Sequence, residues 1–170
     1  MRIVIIGAGP AGYVAGIKAR KMGEDVVVVE KGEIGGVCLN EGCIPTKALI
    51  AAVRVRKSID SAEDFGILGG DGGIDVAKLL SRKNKIVRRL VGGINLLFKK
   101  LGVSVVKDKA IKVKQGRVFL ANGEIIKADR ILVCVGSEPI IPPIPGVEAV
   151  SYTHLRAPET RHDTVCRLLL

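Results

Sequence analysis

The run Gly7-Ala8-Gly9-Pro10-Ala11-Gly12 constrains this chain more than any other stretch. It follows directly on the apolar run Arg2–Ile6, which suits a strand buried on both faces. It leads into Tyr13–Met22, which reads as a helix that Gly23 closes. Asp25–Val29 is then a second buried strand, ending in the carboxylate of Glu30. Strand, glycine turn, helix and strand predict a βαβ unit with parallel pairing. Gly7 permits the tight turn, Gly9 lets backbone approach a pyrophosphate, and Gly12 allows close helix–strand packing. Pro10, Ala11 and Gly12 open the helix whose N-terminus would face the phosphates, and Glu30 can accept hydrogen bonds from ribose hydroxyls. The competing reading is a βαβ turn without a ligand, in which Glu30 merely ends a strand. The motif alone does not choose between FAD and NAD.

A second stretch carries chemistry: Gly35-Gly36-Val37-Cys38-Leu39-Asn40-Glu41-Gly42-Cys43-Ile44-Pro45-Thr46-Lys47. Cys43 opens a helical segment in which Pro45 suits the first turn, where a missing N–H costs nothing. At a helix N-terminus the positive end of the dipole stabilises a thiolate. Cys38 is placed to bridge to Cys43 or to attack an outside disulfide, so the layout is that of a redox pair. Zinc is the chemical rival. A structural zinc site needs four ligands, and before residue 150 the sequence offers only Cys134 as a further thiol and no histidine.

The rest of the sequence reads as a frame around these two stretches. The helical pattern after Lys47 continues through Arg56, and Asp64–Gly73 is turn-like and rich in glycine. Asp75 is placed to cap a long helix whose apolar stripe runs through Val76, Leu79, Leu80, Ile86, Val87, Leu90, Val91, Ile94, Leu97, Phe98 and Leu101. We expect that stripe to face a core, with Gly92-Gly93 kinking the helix or allowing close packing. Gly102 ends the helix, and Val103–Val106 is a third parallel strand. Ile111–Lys114, Arg117–Leu120 and Glu124–Lys127 form a small antiparallel meander, turned at Gln115-Gly116 and Asn122-Gly123. Arg130–Val135 returns to a buried strand that ends at Gly136-Ser137.

The cysteine stretch, with its Ile44-Pro45-Thr46-Lys47 ending followed by Ala48-Leu49, resembles the redox-active signature of the class I pyridine nucleotide–disulfide oxidoreductases. Within that family it is most similar to the dihydrolipoamide dehydrogenase branch. The resemblance covers residues 1–149 and implies an α/β, Rossmann-like FAD-binding domain, with a parallel sheet, helices and a small antiparallel meander, that is incomplete in this chain. It assigns the glycine turn to FAD. It makes Cys38 the interchange thiol and Cys43 the thiol facing the flavin, the two forming a disulfide when oxidised. Lys47 matches the family lysine near the flavin. The cofactor-contacting set it implies is Gly7, Gly9, Pro10, Ala11, Gly12, Glu30, Lys31, Gly36, Val37, Cys38, Lys47, Ala110, Val135, Gly136 and Ser137. Cys134 and Val135 stand where the family carries Ala and Thr, which removes a hydroxyl, and Val37 stands where many members carry Thr.

The resemblance also implies NAD, through a domain absent from this chain, and a lipoamide-type disulfide substrate. It implies a homodimer and association with a 2-oxoacid dehydrogenase complex. Another disulfide reductase, a mercuric reductase of the same family, or a non-catalytic flavin-binding module are the alternatives. The family's second nucleotide-binding unit and its His–Glu acid–base pair do not appear in these residues, so we expect the polypeptide as given not to turn over.

The formal net charge of +10 raises nucleic-acid binding. Many of the cations fall between Lys78 and Lys100, where a solvated helix face explains them, and aromatic residues at 3% offer little to stack bases on. The expectation is no nucleic acid. No apolar run reaches the roughly 18 residues that a membrane span needs, and Met1–Gly16 lacks the flanks of a secretory signal. A cytoplasmic setting is expected, where a cysteine pair is more often catalytic than structural. From Val150 the character changes. Val150-Ser151-Tyr152-Thr153-His154-Leu155-Arg156-Ala157 and the closing Val165-Cys166-Arg167-Leu168-Leu169-Leu170 resemble a translated sequencing adapter. We therefore expect residues 1–149 to be the N-terminal part of the FAD-binding domain and 150–170 to be a non-native read-through tail.

Overall fold

The structure, a computed structural model, describes residues 1–68 and 73–137. The expected boundary at 149/150, both histidines and Cys166 lie outside the described residues, as does part of the glycine-rich stretch before Asp75. The chain forms two compact units, Met1–Val135 and Gly136–Leu170. Of the second, only Gly136 and Ser137 are described.

The first unit is built on β1 (Arg2–Ile6), α1 (Pro10–Lys21) and β2 (Asp25–Val29), the βαβ core that the glycine turn predicts. Two helices follow, α2 (Gly36–Asn40) and α3 (Cys43–Asp60), then a 3₁₀ turn at Ala62–Phe65 and the long α4 (Val76–Leu101). The remaining strands are β3 (Ser104–Val106), β4 (Ala110–Lys114), β5 (Arg117–Leu120), β6 (Ile125–Lys127) and β7 (Arg130–Val133). A four-stranded parallel sheet runs β3-β2-β1-β7, and a three-stranded antiparallel sheet runs β4-β5-β6. Side chains alternate across a strand, so β1 and β2, apolar after their first residues, serve two cores. Val4, Ile6, Val27 and Val29 pack with Val118, Leu120 and Ile126 of the meander. Ile5, Val26 and Val28 face the other way and pack with Ala8, Ile34, Phe98 and Val103. The fold is thus an α/β, Rossmann-like arrangement with a meander covering one face of the sheet.

Local chemistry sets the boundaries. Asp75 caps α4 as its sequence position predicts, its carboxylate accepting the Lys78 N–H at 2.9 Å. Gly102, at φ +71°, ends α4 in the left-handed conformation that favours glycine. Arg20 ties the helix ends together, donating to the carbonyls of Leu101 (2.7 Å) and Glu24 (2.8 Å). The two-residue turn between β4 and β5 holds both Gln115 and Gly116 at positive φ, as a tight hairpin requires.

Two expectations about the helices need correction. The helix after the cysteines runs to Asp60, past Arg56. The α4 stripe is also only partly core-facing: Phe98 is buried, but Leu80 and Leu90 are exposed. The reason is length. Twenty-six residues make a helix of about 39 Å, whereas strands of five residues span roughly 17 Å. Only the C-terminal part of α4 reaches the sheet core, and its N-terminal part lies along α3, where Arg82 donates to the Ala48 carbonyl at 3.3 Å. A Cβ added at Gly92 or Gly93 would meet nothing, so close packing is not what those glycines provide here.

Candidate dinucleotide and redox-cysteine site

The glycine turn sits at the C-terminal ends of β1 and β2, where ligands bind in open α/β sheets. Gly7 has φ +99°, and a Cβ there would run into the carbonyl of Cys134, which follows β7. A Cβ on Gly12 would overlap the Gly7 carbonyl oxygen, so the first turn of α1 lies against the end of β1. Gly9 is the N-cap of α1, no side chain caps it, and Pro10 occupies the first turn. The first helical hydrogen bond is Tyr13 N–H to Gly9 O at 2.9 Å. The N–H groups of Ala11 and Gly12 therefore have no partner within the helix. Such a bare helix N-terminus suits a phosphate.

Glu30, just past β2, commits both carboxylate oxygens to backbone. Oε2 accepts the Ala8 N–H at 2.6 Å and Oε1 accepts the Gly32 N–H at 2.8 Å. Each oxygen keeps one further lone pair, so a ribose hydroxyl can still be accommodated.

The cysteine stretch packs onto this turn. Gly35 N–H donates to Ala8 O at 2.9 Å, and Gly35 (φ +104°) and Gly36 (φ +60°) are both left-handed. A Cβ on Gly36 would lie 2.7 Å from Gly9 Cα, so the start of α2 and the glycine turn touch backbone to backbone. Cys38 lies within α2, a one-turn helix, and Cys43 is the first residue of α3. Asn40 Nδ2 holds α2, donating to the carbonyls of Ile34 (3.1 Å) and Gly36 (3.0 Å). Gly42 N–H donates to Val37 O at 2.7 Å, turning the chain from α2 into α3.

Cys38 and Cys43 are half-exposed free thiols, joined by a hydrogen bond. The Cys38 thiol is pushed up from 9.0 to about 11, first by burial, then by its hydrogen bond with Cys43 and the Cys43 charge. The Cys43 N–H and the Lys47 ammonium pull in the other direction. Lys47 is exposed, about one helical turn beyond Cys43.

The other expected positions lie on several separate elements. Lys31 is exposed and follows Glu30, and Val37 is 42% exposed at the start of α2. Ala110 opens β4 opposite Leu120 and packs on the meander-side core. Val135 is exposed at the end of the first unit, while Gly136 (φ +72°) and Ser137 belong to the second. Among the described residues no group of three or more His, Cys, Asp or Glu could hold a metal. No helix of the described residues is long and apolar enough to cross a membrane. Sequence reasoning missed the Asn40 amide and the double backbone attachment of Glu30. An Asn near a helix end hints at the first; nothing in the sequence signals the second.

The uncapped α1 N-terminus, the bare Gly9–Gly36 approach and the carboxylate at the end of β2 together fit a dinucleotide with its pyrophosphate on α1. Comparison with known proteins agrees. The family described as "Pyridine nucleotide-disulphide oxidoreductase" matches residues 1–164. A dihydrolipoyl dehydrogenase of Acholeplasma laidlawii is 42% identical over 147 residues, covering 86% of this chain and 44% of the relative. A dihydrolipoyl dehydrogenase of Bacillus subtilis (strain 168) is 44% identical over 145 residues, covering 82% of this chain and 32% of the relative. The chain thus spans less than half the length of these curated relatives. The crystal structure of LpdA from Mycobacterium tuberculosis superposes with a TM-score of 0.71 at 28% identity, covering 84% of this chain and 33% of that one. A copper(II) complex of the HOCl-induced flavoprotein disulfide reductase RclA from Escherichia coli gives 0.66 at 26% identity, covering 86% and 30%.

Proposed function

This chain belongs to the pyridine nucleotide-disulphide oxidoreductase family, and from that membership we propose that it is the FAD-binding portion of an NAD-linked dithiol/disulfide oxidoreductase that oxidises dihydrolipoamide. The observation that carries the reading is the hydrogen-bonded Cys38–Cys43 pair, tied through Gly35 and Ala8 to an uncapped glycine turn. Bound flavin would supply a two-electron acceptor beside the cysteines and a route onward to NAD. The turn residues Gly7, Gly9, Pro10, Ala11 and Gly12 would hold its pyrophosphate, with Glu30 on the adenosine ribose. Lys31, Gly36, Val37, Lys47, Ala110, Val135, Gly136 and Ser137 complete the proposed contacts.

The dithiol chemistry belongs to this chain. With Cys38 and Cys43 oxidised to a disulfide, a dihydrolipoamide thiolate attacks Cys38 Sγ and Cys43 leaves as the thiolate. The second lipoyl thiol then attacks the mixed disulfide at the lipoyl sulfur, closing the lipoamide ring and releasing Cys38. Two electrons pass from substrate to the cysteine pair, and two protons leave the substrate thiols. Cys43, at the first position of α3, is the better leaving group because the helix N-terminus stabilises its negative charge. Cys38, pushed up to about 11, stays protonated at neutral pH. Its proton has to be placed and removed by a base, and no histidine stands among the described residues. On this reading turnover takes place in a homodimeric full-length enzyme, associated with a 2-oxoacid dehydrogenase complex in the cytoplasm, and the 170-residue chain alone does not turn over.

Two measurements test this. Reconstitution of the chain with FAD is expected to quench flavin fluorescence. In a complete protein carrying this sequence, Cys38→Ser is expected to abolish dihydrolipoamide-dependent NAD reduction and leave flavin bound. Unchanged turnover in that variant refutes the assignment. Residues 150–170 are proposed as non-native, which resequencing the source DNA across the codons for Ala149 and Val150 decides. A genomic copy of the tail followed by a stop codon overturns that proposal.

A further inference from the structure

We propose that Glu30 is a positioning residue that sets the glycine turn from beneath, an action separate from any contact with a ribose. The proposal rests on the dinucleotide reading of the same site. Glu30 is held by its own backbone first: its N–H donates to Val106 O on β3 at 3.0 Å. From that anchor the carboxylate reaches across to the end of β1, where Oε2 takes the Ala8 N–H, and forward to the Gly32 N–H. Ala8 is completely buried, so its N–H has no access to water as a substitute partner.

Three consecutive attachments then fix the turn. Gly7 N–H donates to Val29 O at 2.8 Å, Ala8 N–H to Glu30, and Ala8 O accepts from Gly35 N–H at 2.9 Å. The Ala8 residue thus links the glycine turn on one side to the segment that leads into Cys38 on the other. A carboxylate is the right group for this. It is acceptor-only, with oxygens for two N–H donors, whereas a Gln presents one acceptor and one donor and must lose one of the two bonds whichever way it is turned. An Asp, one methylene shorter, does not span both donors from the same backbone position. The pyrophosphate seat at Gly9–Gly12 begins one residue after Ala8, so an error at Ala8 is passed directly to it.

The consequence separates positioning from ribose contact. A group that only touches ribose hydroxyls matters for ADP and not for 2′,3′-dideoxy-ADP. A group that sets the turn matters for the dideoxy nucleotide as well. The experiment uses the 170-residue chain with Glu30→Gln and, as a control, Glu33→Gln, whose exposed carboxylate pairs with Lys107. Amide exchange is read by NMR at Ala8, Gly32 and the core residue Val28, and both nucleotides are titrated by calorimetry. In Glu30→Gln the exchange of Ala8 or Gly32 rises while Val28 is unchanged, and 2′,3′-dideoxy-ADP weakens by roughly tenfold, with ADP weakened at least as much, in line with loss of one charge-assisted bond. Glu33→Gln moves neither. Unchanged exchange at both Ala8 and Gly32, or a loss confined to ADP, overturns the proposal. Acceleration that includes Val28 also overturns it, because the effect is then on the whole fold. If the wild-type chain binds neither nucleotide, the dinucleotide reading fails, while the exchange data still decide the role of Glu30. Should Glu30→Gln not fold, Glu30→Asp keeps the charge and is expected to give the same local pattern.

Discussion

The reactivity of Cys38 is the sharpest consequence of the geometry at α2 and α3. Its thiol is pushed to about 11 from an ordinary 9.0, and burial is the largest cause. At pH 8 that leaves a thiolate fraction of about one in a thousand, against roughly one in ten for the ordinary thiol, close to a hundredfold deficit. A more basic thiolate is a better nucleophile, and a Brønsted slope of about 0.4–0.5 over this difference returns roughly six- to tenfold. The net expectation is alkylation by iodoacetamide roughly ten- to fifteenfold slower than a small free thiol at pH 8. The rate should rise with pH to a midpoint near 11. Mass spectrometry of the Cys38 peptide after timed alkylation measures this directly. Cys43→Ala removes the partner's hydrogen bond and charge but not the burial, so the midpoint should fall and remain above the ordinary value. Alkylation of wild-type Cys38 as fast as the free thiol at pH 8, with a midpoint at or below 9, refutes the reasoning.

The same shift has a stability consequence: between pH 9 and 11 folded Cys38 keeps a proton that the unfolded chain has lost, so urea midpoints should decline through that window and flatten above it. Phe98→Ala empties the largest fully buried side chain, and unfolding in urea should show a loss of about 3–5 kcal/mol. Gly12→Ala drives a methyl into the Gly7 carbonyl, which is backbone and cannot swing aside; a loss of about 1–3 kcal/mol with weakened FAD binding is expected on titration. Gln115→Gly relieves the non-glycine residue held at φ +47° in the β4–β5 turn, and thermal melts should register a gain of about 1 kcal/mol.

Periodicity made the parallel sheet legible because β1 and β2 are apolar on both faces, and such runs have few other uses. The meander was legible from its turns: Gln115-Gly116 and Asn122-Gly123 fall where the structure reverses the chain. What α4 would cover was not legible. An apolar stripe states that a face prefers burial, but not how far the neighbouring layer extends, and here the helix outruns the sheet. Leu80 and Leu90 look like core residues in the sequence for the same reason that Phe98 does. Only the three-dimensional reach of β1, β2 and β3 separates them.

At the site, spacing fixed which residues would meet but not how their hydrogen bonds would be shared. Gly7 and Gly12 were predictable because only glycine fits a left-handed turn or a backbone contact as close as that between them. Cys43 at the start of a helix was predictable from Pro45. The protonation of Cys38 was not, since it arises from burial within α2 and from Cys43 acting as the acceptor of its proton. That asymmetry orders the chemistry. In the dithiol form Cys38, pushed up by burial and by its hydrogen bond with Cys43, holds its proton at neutral pH. An attack by Cys38 on an incoming disulfide then needs a base to take that proton. Adding exogenous imidazole to a Cys38-dependent exchange assay should therefore accelerate it in proportion to the free base, and a rate independent of imidazole would show that Cys38 is deprotonated by the chain itself.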